Sequence, residues 1–161
     1  CFLRSKNHAS LCRLTRRYTE KNTMTPILCL DFDGVIHSYS SGWKGARNIP
    51  DPPVDGAIQW LRSLLSDPEC VCAMAPRYLD FDVQIYSSRS RYFGGRRAMK
   101  KWLAREFEKI DEPPQLVELI KFPLIKPPAF LQIDDRALTF TGIFPSVSEM
   151  KAFKPWNKKT V

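Results

Sequence analysis

Asp31 and Asp33 follow the apolar run Ile27-Leu28-Cys29-Leu30 and precede Gly34. That order reads as a buried strand ending in two carboxylates and a turn. Residues two apart on an extended chain project to the same side. Both carboxylates can therefore share one pocket while Phe32 packs on the other side. Gly34 frees the backbone to turn sharply. Open parallel sheets bind ligands beyond the carboxyl ends of their strands. Two converging carboxylates at that place suit a hard cation and a phosphate.

Asp and Gly are also common turn formers, so the motif alone fits an ordinary polar turn. Three later segments favour chemistry. Phe81-Asp82-Val83-Gln84-Ile85-Tyr86 is β-rich and ends in Ser87-Ser88-Arg89-Ser90. Lys126 stands before Pro127-Pro128, held by stiff backbone. Ala129-Phe130-Leu131-Gln132-Ile133 is strand-like and ends in Asp134-Asp135-Arg136.

In this order the four motifs resemble those of the haloacid-dehalogenase-like (HAD) superfamily of phosphohydrolases, over roughly residues 26–156. Asp31 matches that family's nucleophile, Asp33 its general acid/base and Ser87 its second-motif hydroxyl. Lys126 matches its lysine, and Asp134 with Asp135 its acidic fourth motif. The chain is also similar to small phage-encoded proteins of this superfamily. Ser87-x-Arg89 and Asp134-Asp135-Arg136 resemble the phosphatase domains of phage polynucleotide kinase-phosphatases.

The resemblance implies a Mg²⁺-dependent phosphatase acting on a phosphate monoester, with the 3′-phosphate end of a nucleic acid as one candidate. The alternatives are a nucleotidase or small-metabolite phosphatase, or an idle binding module of the same fold. A kinase is disfavoured, because no Gly-x-x-x-x-Gly-Lys-[Ser/Thr] loop occurs. Asp31 would attack phosphorus and form an aspartyl-phosphate. Asp33 would serve as acid and then base, its proton favoured by neighbouring carboxylates. Asp31, the Asp33 carbonyl and Asp134 would hold the metal, with Asp135 a ligand or an outer partner. Ser87 would hold phosphate oxygens, and Lys126 would offset charge in the transition state. Arg89 suits bidentate phosphate binding or a surface ion pair. Trp43, Lys44 and Arg47 lie in the loop expected over the site, where an aromatic and two cations suit a base and a backbone phosphate. A Trp packed on the sheet edge is the rival reading.

The chain has 161 residues and a formal net charge of +8. Residues 1–23 hold six Lys/Arg against one Glu, and read as a dispensable basic extension. The expected domain, 24–161, is only mildly basic. No apolar run approaches the about 20 residues of a membrane span. Five irregularly spaced cysteines suit a reduced, cytoplasmic protein. Cys70-x-Cys72 lacks a second pair to complete a metal site. His37 reads as a loop or packing residue.

The elements that must position these groups alternate between strands and helices. Strands are expected at the three motif-bearing runs and at Leu116–Phe122. Helices are expected at about 54–66, opened by Pro53, at about 95–110, and at 147–152 behind the capping box Ser146-x-x-Glu149. The tail around Trp156 should anchor one aromatic. Alternation implies an α/β protein. With the resemblance, it implies a three-layer Rossmann-like fold around a central parallel sheet, without a separate cap and with an open site.

Overall fold

In a computed structural model, the structure describes residues 25–65, 80–139 and 141–158. The expected extension at 1–23, the Cys70-x-Cys72 pair and nearly all of the connection at 67–80 lie outside the described residues. Three strands form one parallel sheet. They are β1 (Ile27–Leu30), β2 (Asp82–Ile85) and β3 (Leu131–Ile133). The order is β2-β1-β3, with Leu28 opposite both Val83 and Leu131. The strand bearing the first motif is thus central, and the other two motif-bearing strands flank it.

Helix α1 (Ala57–Leu65) buries Ile58, Leu61 and Leu65, a stripe at helical spacing. Helix α2 (Gly95–Glu108) buries Met99, Trp102, Leu103 and Phe107. These side chains share one core with Leu28, Leu30, Phe32, Val83 and Ile85. Full burial of each large apolar side chain is worth about 1.5–3 kcal/mol. Cys29, 1% exposed, points from the other face of β1, in register with Gln84 and Gln132.

Two expectations are corrected. Leu116–Phe122 is not a strand. Pro114–Leu119 forms a 3₁₀ helix with Pro114 in its first turn, and Leu116 and Val117 are buried. Only Lys121 then pairs with the sheet, bridging Gln84. Pro114 favours a helical start, and that start uses the apolar residues for packing before a ladder can form. Nor does Pro53 open α1. It bridges His37 in antiparallel fashion, and the helix begins after Gly56.

The last helix, α3 (Val147–Ala152), has the expected capping box between Ser146 and Glu149. Beyond it, Trp156 Nε1 donates to the Gly34 carbonyl at 2.7 Å, so the tail does anchor an aromatic, at the turn after Asp33. Among the described residues, no helix is long and apolar enough to cross a membrane.

Candidate active site

β1 ends where its two neighbours also end. The Asp31 amide donates to Ile133 of β3, and the Tyr86 amide to Leu30 of β1. These bonds hold Asp31, Ser87 and Asp134 at the same edge of the sheet. After Asp33 the chain folds back on itself, as the His37 amide donates to Phe32 and the Gly34 amide to His37. Gly34 has φ of 95°, and a Cβ there would overlap the Asp135 carboxylate.

A cleft of about 260 Å³ opens at this edge. Asp31, Asp33, Ser87, Lys126 and Asp134 line it, so five of the expected residues come together. Phe32 points into the core with 0% exposure, the alternation expected of an extended segment. Ser87 Oγ accepts from the Arg89 amide at 3.3 Å, which leaves its hydroxyl hydrogen available to an anion.

Asp31, Asp134 and Asp135 each offer an oxygen, all within 4.8 Å of one another. Both Asp135 oxygens are buried without a hydrogen-bond partner. Arg136 Nε is 3.8 Å from Asp135 Oδ2, an ion pair beyond hydrogen-bond reach. Buried, unsatisfied carboxylate oxygens are costly, and a hard divalent cation would satisfy them. The donor set fits Mg²⁺ and does not single it out among hard cations. Burial pushes the Asp31 carboxyl up to about 7, with Asp134, Asp33 and Asp135 adding to the rise. Burial likewise raises Asp135.

Asp33 behaves oppositely, and this corrects the expectation that its neighbours favour its proton. Burial raises it, but hydrogen bonds from His37 and Arg89 outweigh burial and hold it below the usual carboxylate range. His37 Nδ1 lies 2.9 Å from Asp33 Oδ1, while His37 Nε2 accepts from the Asp51 amide at 3.2 Å. That pairing makes Nδ1 the protonated nitrogen facing Asp33. The ring is fully buried between Phe32 and Trp102.

Arg89 departs furthest from its expected place. It is 0% exposed and lines no part of the cleft. Its Nε donates to Asp33 Oδ2 at 2.7 Å. One terminal nitrogen donates to the carbonyls of Gly45, Ala46 and Asn48 at 2.8–3.2 Å, and Trp43 covers the guanidinium at 4.9 Å. Arg89 therefore staples the 45–48 loop to Asp33 and does not reach a phosphate in the cleft.

Trp43, Lys44 and Arg47 also lie off the cleft lining. Trp43 stacks on Arg89 and beside Tyr92, Lys44 is exposed, and the Arg47 stem lies against Gly94. In their place Tyr39, Tyr86, Ser88, Gln132 and Arg136 complete the wall. Tyr39 has a positive φ of 55° and sits under the Arg136 guanidinium. No sequence pattern announced Tyr39. Tyr86 and Ser88 flank an expected site residue and were within reach of the same strand-end argument.

A scan against protein-family models matched none of them, and comparisons with curated proteins and with solved structures gave no match.

Proposed function

We propose that this protein is a metal-dependent phosphohydrolase of the HAD type, with Mg²⁺ as its cation and a phosphate monoester as its substrate. The three-layer Rossmann-like arrangement of that superfamily is part of the same proposal. The observation that carries the reading is the convergence of Asp31, Asp33, Ser87, Lys126 and Asp134 on one cleft, beside the Asp31–Asp134–Asp135 cluster. Nucleophile, proton carrier, hydrogen-bond donor to the phosphate, cation and carboxylate cluster are what phosphoryl transfer to a carboxylate requires.

Asp31, Asp134 and Asp135 would hold the cation, which supplies neutralisation of charge on the nucleophile and the phosphoryl oxygens. An Asp31 oxygen attacks phosphorus, and the bond to the ester oxygen breaks. Ser87 donates its hydroxyl hydrogen to a phosphoryl oxygen, and Lys126 faces the developing charge. The aspartyl-phosphate is then hydrolysed by water, returning the Asp31 carboxylate and releasing phosphate. Asp33, held ionised by Arg89 and His37, is set up as the base for that water. As acid for the first step it is weak, which favours esters with acidic leaving groups.

The test is a screen of phosphate monoesters, among them aryl phosphates, nucleotides, sugar phosphates and 3′-phosphorylated oligonucleotides, with and without Mg²⁺. Metal-dependent phosphate release lost in Asp31→Asn supports the reading. No release from any ester, or release indifferent to a chelator, rejects it.

A further inference from the structure

A second concavity lies apart from the cleft and shares no lining residue with it. It measures about 230 Å³ and is walled by Arg47, Lys101 and Arg105, with Ile49, Ala98 and Trp102 supplying its apolar part. The three cationic residues are exposed. Among the described residues, none of them forms an ion pair and no Asp or Glu lines the cavity. The other flank of α2 behaves differently: Lys100 pairs with Glu118 at 2.6 Å, and Arg96 donates to the Phe122 carbonyl. Among the described residues, cations without an ion pair thus line the cavity. Between Ser88 and Arg105 every Asp, Glu, Lys or Arg is a Lys or Arg.

Exposed aromatics continue this surface. Arg47 packs on Gly94, the residue after Tyr92-Phe93. Tyr92 and Phe93 are 53% and 95% exposed, and Tyr92 lies 5.8 Å from the half-exposed Trp43. Cations along a groove bind a phosphate backbone, and neighbouring aromatic faces stack bases with little regard to sequence. A small anion would use the cations and leave the aromatics idle.

We propose that the cavity of Arg47, Lys101 and Arg105, with the Tyr92–Phe93–Trp43 face beside it, is a docking surface for single-stranded nucleic acid. Its role in presenting substrate to the cleft rests on the phosphatase reading. Strand binding itself is measured without turnover, so the two ideas fail separately.

The experiment is a fluorescence-anisotropy titration of a labelled 3′-hydroxyl single strand, roughly a dozen nucleotides long. The full chain is used, without divalent metal, at several salt concentrations. The cavity variant combines Lys101→Gln with Arg105→Gln. It should bind roughly tenfold more weakly or worse, with a salt slope flatter by about 1.4, roughly 0.7 for each lost cation. Tyr92→Ala should weaken binding roughly 5- to 150-fold with the slope retained, the signature of lost stacking. Lys151→Gln combined with Lys154→Gln removes the same charge from residues that line neither cavity and should change neither quantity. The proposal is overturned if the cavity variant binds like the parent, or if the Lys151/Lys154 variant loses as much. It also fails if pyrophosphate at matched phosphate concentration displaces the labelled strand as well as unlabelled strand does.

Discussion

On the proposed reading, Asp31 sets stability against reactivity. Its carboxyl is raised to about 7 by burial and by three neighbouring carboxylates, so ionising it above that pH costs folding free energy. Asp31→Asn removes the ionisable group, leaving a side chain that cannot act as the nucleophile. The variant should release no phosphate, yet melt at a higher temperature than the parent at pH 8 in chelator. A lower melting temperature would show that the carboxylate is not strained as described. Arg89 should show the reverse balance. Breaking a buried ion pair by removing one partner costs about 3–5 kcal/mol, and Arg89→Ala also frees three loop carbonyls. Chemical denaturation should register a loss of that order, whatever happens to turnover. The cleft carboxylates were legible in the sequence because a period of two and a strand end fix where they point. Arg89 was not, because most of its partners are main-chain carbonyls, which leave no side-chain pattern to read.

At the scale of elements, two close approaches depend on glycine. The Gly34 turn has φ of 95° and lies against Asp135, and Gly95 opens α2 where the Arg89 carbonyl fills the space of a Cβ. Gly34→Ala should cost at least about 1 kcal/mol from backbone strain alone. It should also lower divalent-cation affinity in isothermal titration, because the new methyl meets a carboxylate of the cluster. Retained affinity would separate Asp135 from the proposed metal site. Strands and helices with clear periodicity were expected close to where they lie, including α3 behind its capping box. The failure at Leu116–Phe122 has a local cause: Leu116 and Val117 are apolar in either reading, and only Pro114 separates a helical turn from a strand. The 37–53 loop was legible as a loop, but Trp43 turns onto Arg89 and Arg47 onto Gly94 at the start of α2, a tertiary outcome that no spacing rule contains.

For the whole molecule, the charge cluster links pH and stability, and on the proposed reading metal as well. The Asp31 carboxyl is raised in the fold, so its contribution to stability is full below about 4, its usual range. That contribution is lost as pH rises through about 7. Metal-free protein should therefore melt at progressively lower temperature across that window, other groups held equal. Mg²⁺ should restore the melting temperature most at the alkaline end, by binding the native state alone. A scanning-calorimetry series with and without Mg²⁺ checks both signs. The sheet order has a kinetic consequence as well. Leu28 meets Val83 on one side and Leu131 on the other, and among the described residues no strand pairs with a near neighbour in sequence. Chains dominated by such distant pairings fold slowly, since loop closure comes before any reward. Asp31, Ser87 and Asp134 become neighbours only when both crossovers have closed. During refolding, the capacity to capture a cation should thus emerge with the slowest phase, long after helical signal has returned.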